Sequence, residues 1–194
     1  MDSVSNISKH LGGCRSNKGT FVPLVWDKII EMYNIKSVID IGCGYAQSLS
    51  YFISKGLTGI GVEGWEYAVQ HSKVPESIIM HDYTLGKYIP EKEFDLGWSA
   101  EFVEHVDKEY IDNFMATFKK CKYVAMTHAF PRQRGFHHVN CQKSIYWIEI
   151  FKNNGFIYLE NDSLGLRNLL NNSDGTPMEK GGFVRRGLMV FKRN

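Results

Sequence analysis

Ser37-Val-Ile-Asp-Ile-Gly-Cys-Gly-Tyr45 joins an apolar run to a glycine turn through an acidic residue. Val38, Ile39 and Ile41 suit a strand buried on both faces of a parallel sheet. Gly42 and Gly44 let the chain turn sharply at the carboxyl end of that strand with no Cβ in the way, so a ligand can approach bare backbone. A helix expected over 46–54 would turn its free N–H groups toward the same crevice. A dinucleotide fingerprint would place a third glycine three residues after Gly44, but position 47 is Gln. Asp40 would also repel a pyrophosphate, whereas it suits an ammonium group or a ribose. The stretch therefore reads as a nucleoside-cofactor site of another kind.

The segments that follow keep to that plan. Leu57-Thr-Gly-Ile-Gly-Val-Glu63-Gly64 reads as a second buried strand ending in a carboxylate, nineteen residues after Gly44. Glu63 stands where a βαβ unit presents a bidentate acceptor to ribose hydroxyls. Trp65 follows and is placed either to lie against a nucleobase or simply to pack. Ser77-Ile-Ile-Met-His-Asp82-Tyr83 reads as a short third strand with a polar stop, and Asp82 to Thr84 also suit a plain turn. Phe94-Asp-Leu-Gly-Trp98-Ser-Ala-Glu101-Phe-Val-Glu104-His105 then supplies a fourth strand and an acidic segment. Glu101 and His105 are four apart, so on a helical turn they would share a face and pair, which would raise the histidine pKa. A capping turn with a satisfied histidine is the alternative.

D-I-G-C-G over 40–44 resembles the first motif of class I S-adenosylmethionine-dependent methyltransferases, and the later pieces fall in that family's order over roughly 37–160. The resemblance implies a Rossmann-like α/β fold: a mainly parallel seven-stranded sheet with an antiparallel last strand and helices on both faces. It implies S-adenosylmethionine as cofactor and S-adenosylhomocysteine as product. Carried over residue by residue, it assigns cofactor binding to Asp40, Gly42, Cys43, Gly44, Glu63, Gly64, Trp65, Asp82, Tyr83, Ser99 and Glu101, with Asp82 taking the adenine amino group. Family members commonly carry E-x-x-E-H after the fourth strand, matched here by Glu101, Glu104 and His105, with the histidine near the reacting sulfonium.

Met126-Thr-His128-Ala-Phe-Pro-Arg-Gln-Arg-Gly135-Phe-His137-His138-Val-Asn140-Cys-Gln142 follows a fifth apolar strand and gathers three histidines beyond its end. Ligands bind at that end of an open α/β sheet, so this loop is expected to carry acceptor-binding groups. It resembles an H-H-V-N-C-Q sequence in small methyltransferase-like proteins of viruses, phages and bacteria. Two chemistries are open. One histidine, His138 first and His105 or His128 otherwise, acts as a general base toward an acceptor hydroxyl. Alternatively, His128, His137 and a carboxylate such as Glu101 hold a divalent metal. Adjacent histidines do not easily share an ion and no H-x-E or C-x-x-C spacing occurs, so the metal-free reading is preferred. A purely structural histidine loop is the third possibility.

Composition bounds the rest. A chain of 194 residues with 43% hydrophobic residues fills one core, so 1–194 is expected to be a single methyltransferase domain. Within it, 1–20 form a polar lead, and 129–143 and 161–182 are loops near the acceptor side. A formal net charge of +2 gives no strong field for a polyanion, although Arg185-Arg186 and Lys192-Arg193 add basic character near the C-terminus. Nucleic acid is not required as a partner. Four scattered cysteines, Cys14, Cys43, Cys121 and Cys141, do not form a disulfide framework. With no apolar signal core and no membrane-length run, a cytoplasmic place is expected, the host cytoplasm if the source is a virus.

Helices are expected at 22–33, 108–119 and 144–153, the last stopped at Gly155, with final strands at 156–159 and 183–191 and a long loop at 161–182. A base-methylating enzyme would carry an Asn/Asp-Pro-Pro-Tyr-like sequence where this chain has Ser99-Ala-Glu-Phe. The expected reaction is O-methylation of a small molecule or of a sugar residue in a glycan. A ribose or cap methyltransferase of nucleic acid, and a catalytically inactive cofactor-binding partner subunit, are the alternatives.

Overall fold

The computed structural model describes residues 10–13 and 19–194. The elements in chain order are α1 (Pro23–Tyr33), β1 (Ser37–Ile41), α2 (Gln47–Ser54), β2 (Thr58–Glu63), α3 (Glu66–Gln70), β3 (Ile78–Met80), β4 (Phe94–Ser99), α4 (Ile111–Phe118), β5 (Cys121–Met126), α5 (Ser144–Asn153), β6 (Phe156–Tyr158), α6 (Glu160–Asn168), α7 (Gly182–Gly187) and β7 (Met189–Arg193). They build one seven-stranded sheet in the order β3-β2-β1-β4-β5-β7-β6. β1 to β5 run parallel, and β7 is antiparallel to both β5 and β6.

Alternation along the central strands sorts the core into two layers, as the period of two requires. Val38, Leu96, Trp98, Ala125 and Val190 face a layer made by Val25, Trp26 and Ile29 of α1, Leu49 and Phe52 of α2, and Leu166 of α6. Ile39, Ile41, Val124, Met126, Met189 and Phe191 face the other, against Phe114 and Phe118 of α4 and Trp147 and Phe151 of α5. The sheet is thus covered on both faces, and ligand access is left to the ends of the strands. Their carboxyl ends meet where β1 and β4 diverge, because β2 and β3 wind to one side and β5 to the other.

Two expectations at the C-terminal side are corrected. The stretch 161–182 is not one long loop, because α6 occupies Glu160–Asn168. Its Ser163 and Leu166, with Leu170 beyond its end, recur at helical spacing and are buried. Tyr33 Oη donates to Asp162 at 2.7 Å, fixing the helix to α1. The polar residues that gave the segment a loop-like composition lie on its outer side, and core contact overrides their weak propensity. Likewise, 183–191 is not one strand. It opens as α7, entered through Gly181 at φ +80 and burying Val184, and only Met189–Arg193 extends as β7. The expected helix at 108–119 begins as a 3-10 turn at Lys108–Tyr110 before α4. Cys121 and Cys141 are free thiols, and Cys14, like the first nine residues of the polar lead, lies outside the described residues. No helix of the described residues is long and apolar enough to cross a membrane.

Candidate cofactor and acceptor site

β1 ends at Ile41, and the backbone turns through Gly42 at φ +68 and Gly44 at φ +53, a conformation costly for side chains. A Cβ on Gly42 would stand 2.2 Å from the Phe102 ring, so the turn and the segment after β4 fit only with glycine there. Beyond the turn lies a cavity of about 780 Å³, within the roughly 300–1,000 Å³ of small-molecule sites. Its wall brings together Asp40, Gly42, Cys43, Gly44, Glu63, Gly64, Trp65, Asp82, Tyr83, Glu101, His105 and His138.

The carboxylates on that wall are held differently. Asp40 is 1% exposed and accepts a short hydrogen bond from Ser48 Oγ. Burial, joined by the charge of Glu63, pushes its pKa up to about 7. Glu63 accepts from the N–H of Gly44 at 2.6 Å and of Trp65 at 2.8 Å, one on each oxygen. Burial raises its pKa against those bonds, and each oxygen keeps a lone pair for another donor. Asp82 accepts from Thr84 N–H and Oγ on one oxygen and lies 2.8 Å from His10 Nε2 on the other. Burial works to raise its pKa, but the Thr84 and His10 bonds outweigh it and the net shift is downward. Among the described residues, neither Asp40 nor Glu63 has a cationic partner. Two buried carboxylates without a cation fit a positively charged nucleoside and oppose a pyrophosphate.

His105 and His138 also line the cavity, and Glu104 lies beside them. Glu101, at φ +54, is turned out of any helix; its carboxylate accepts from Thr127 Oγ1 at 2.8 Å and from Gln133 Nε2 at 3.3 Å. The expected Glu101–His105 pair is therefore absent, and so is the rise in histidine pKa. Burial, followed by the charge of His138, instead lowers His105 to about 4. His105 sits on a 3-10 turn, Val103–His105, whose Glu104 is fully buried. The Glu104 carbonyl accepts from Val139 N–H and Asn140 N–H, both at 3.0 Å, and Asn140 Nδ2 donates to the Val106 carbonyl. These bonds seat the His137–His138 loop on the turn, with the His105 and His138 rings 4.9 Å apart. His138 Nδ1 lies 3.0 Å from the Gln133 carbonyl, so Nδ1 carries the proton and Nε2 keeps a free lone pair.

Two residues expected in the site are not on the cavity wall. His128 is 1% exposed, with Nε2 at 3.1 Å from Ser144 Oγ and its ring near Phe130 and Trp147. It belongs to the core under α5, which removes it both as a base and from a metal set with His137. Ser99 Oγ donates to the Ile41 carbonyl at 2.8 Å and ties β4 to β1. Tyr83 reaches the cavity only in part, since its hydroxyl bonds Thr117 Oγ1 in the core. Other wall residues carried no signal in the sequence: His10, Leu11, Gly12 and Gly13 of the polar lead, with Gln133 and Phe136 of the histidine loop.

A family model described as a methyltransferase domain matches residues 39–125. No curated protein sequence matches the chain. Solved structures share its fold at low identity. A TehB-like SAM-dependent methyltransferase from Corynebacterium glutamicum aligns with TM-score 0.60 and 17% identity over 88% of this chain and 87% of that one. A SAM-dependent methyltransferase from Archaeoglobus fulgidus gives 0.58 and 16% over 88% and 91%. The methyltransferase domain of bacterial CtHen1-CN gives 0.57 and 15% over 87% and 95%. The matched region runs from the middle of β1 to β5 and holds the glycine turn, Glu63, Asp82 and the E-x-x-E-H segment. Residues 39–125 thus match a methyltransferase domain, and the described chain has the fold of class I S-adenosylmethionine-dependent methyltransferases, which implies S-adenosylmethionine as cofactor.

Proposed function

We propose that this methyltransferase acts on a hydroxyl oxygen of a small molecule or of a sugar residue. One observation carries the reading: the cavity that is lined by Asp40 and Glu63 is also lined by His105 and His138. In this reading Glu63 takes the ribose hydroxyls, Asp40 faces the ammonium group, and Asp82 takes the adenine amino group with His10 beside it. Gly42 and Gly44 let the cofactor lie on the backbone. When bound, S-adenosylmethionine supplies a methyl group on a sulfonium, open to in-line attack. The acceptor hydroxyl would rest against the Glu104–His105–His138 cluster and lose its proton there. Burial disfavours the charged form of His105, and His138, with Nδ1 on the Gln133 carbonyl, offers the Nε2 lone pair that receives the proton. Holding the two partners in line supplies roughly 7–11 kcal/mol of barrier reduction in well-oriented reactions.

Arg134 and Arg186 also line the cavity. They favour acceptors that carry an anionic group, a phosphorylated sugar or a nucleotide among them. A nucleic-acid acceptor would show itself as affinity falling steeply with salt.

The test is calorimetric titration with S-adenosylhomocysteine, followed by transfer of labelled methyl from the cofactor to a panel of sugars, sugar phosphates and short RNAs. Native protein should bind saturably, and Glu63→Ala should weaken binding roughly tenfold or more, the scale of lost bonds to a charged group. His138→Ala should slow transfer at least 10²-fold with cofactor affinity kept. Transfer undiminished in His138→Ala, or label found only on nitrogen or carbon, would overturn the assignment.

A further inference from the structure

We propose that Glu104, His105 and His138 form a binding site for one divalent transition-metal ion that opens onto the cofactor cavity. Each offers one donor atom, and the three atoms lie within 4.8 Å of one another. Donors about 2.1 Å from a shared ion stand roughly 3–4 Å apart, so small side-chain rotations close the set. Burial supplies an independent reason. Glu104 is fully buried, yet neither of its carboxylate oxygens has a hydrogen-bond partner, and the buried Nδ1 of His105 has none either. Buried polar atoms are rarely left so, and a buried carboxylate calls for a cation or a donor. An ion held between Glu104, His105 and His138 would satisfy the Glu104 carboxylate and His105 Nδ1 together.

The surroundings are those of a held site. Val139 N–H and Asn140 N–H on the Glu104 carbonyl fix the loop carrying His138 to the turn carrying the other two donors. The Gln133 carbonyl takes the Nδ1 proton of His138 and leaves Nε2 as a lone-pair donor, the outer bond that metal-bound histidines commonly make. Two imidazoles and one carboxylate suit Mn²⁺, Fe²⁺, Co²⁺ or Zn²⁺ better than Mg²⁺, which prefers oxygen throughout. Three protein donors leave positions open for an acceptor oxygen.

The catalytic consequence rests on the O-methylation reading; the binding does not. A hydroxyl on the ion would lose its proton to the neighbouring Glu101 carboxylate or to water. Its oxygen would then form the new C–O bond as the methyl–sulfur bond breaks, leaving neutral S-adenosylhomocysteine. With an ion bound, the histidines would serve as its ligands in place of the base role they have in the ion-free reading, and the proton would go elsewhere.

The experiment is calorimetric titration of the full chain, stripped with chelator and loaded with S-adenosylhomocysteine, with MnCl₂, CoCl₂ and ZnSO₄ in turn. The visible spectrum of the cobalt form gives a second readout. One ion per chain is expected, with affinity lowered tenfold or more in Glu104→Gln and in His138→Ala. His71→Ala, exposed just past the end of α3, should bind as the native protein does. Retained binding of S-adenosylhomocysteine by each variant shows that it is folded. Absence of saturable binding for all three ions up to millimolar concentration would overturn the site, as would unchanged affinity in both variants. Metal binding with no methyl transfer to any oxygen would support the site while overturning the proposed function, so the two failures are distinguishable.

Discussion

Asp40 is a carboxylate almost without water, and a cofactor's positive charge would change its state. In the free protein its pKa stands near 7 rather than 3.8, so the folded chain holds a proton that the unfolded chain releases at lower pH. Folding stability from this group is full below about pH 3.8 and falls as pH rises through 7. An ammonium group beside Asp40 favours the charged form and reverses that cost. Cofactor binding should then release about one proton at pH 6 and almost none at pH 8.5, with affinity rising as pH climbs toward 7. Titrations in two buffers of different ionisation heat measure this directly, and Asp40→Asn should abolish it. Proton release unchanged in Asp40→Asn would place the ammonium elsewhere. Gly135 offers a second residue-scale test. A Cβ there would stand 2.1 Å from His138 Nε2, so Gly135→Ala should swing the imidazole off the cluster. Methyl transfer should drop at least tenfold with binding of S-adenosylhomocysteine unchanged; full activity would remove His138 from the reacting end. Identity alone could not separate the histidines. His128 and His138 look alike in sequence, and only the register of β5 sends one into the core and leaves the other at the cavity.

At the level of elements, the strands were legible because each central one is a short apolar run closed by glycine or a carboxylate. β1, β2, β4 and β5 stand where the pattern places them, and the glycine turn lies where β1 ends. α5 and β6 also stand where expected, but the chain from residue 160 on was not legible, because α6 and α7 follow from contacts rather than composition. Ser163 shows how. Its buried hydroxyl donates to the Leu159 carbonyl at 2.7 Å and accepts from Val190 N–H at 2.9 Å, joining α6 to β7. A serine inside a helix ordinarily reads as a loop former, and here it completes the bonding of a strand. Ser163→Ala would strand the Val190 N–H without a partner, at a cost of about 1–3 kcal/mol. Urea unfolding should show the midpoint falling with its slope unchanged. A shift within 0.5 kcal/mol, the ordinary range for surface changes, would mean that α6 is not seated this way.

Across the whole molecule, the cavity is roofed by two segments far apart in the chain. Leu11 packs over Gly64, and Gly12 and Gly13 lie against the Phe136 ring. His10 holds Asp82 and sits with its ring 6.1 Å from that of His137. The lead thus meets the histidine loop above the place assigned to the nucleoside, an arrangement that no local pattern could announce. Arg132 and Arg134, both exposed on that loop, are points where trypsin reads its state. Cleavage there requires the loop to open, and a ligand held beneath it suppresses opening in proportion to occupancy. At about 100 times its Kd, a ligand that leaves on opening lowers the open population about 100-fold. Saturating S-adenosylhomocysteine should therefore slow cleavage after Arg132 and Arg134 tenfold or more. Cleavage after Lys180, exposed and absent from the cavity wall, should keep its rate. His10→Ala, which frees the lead from Asp82, should recover part of the lost cleavage at a given ligand concentration. Equal rates with and without ligand in the native chain would show that the two segments do not close over the cofactor, and that the cavity is open on that side during turnover.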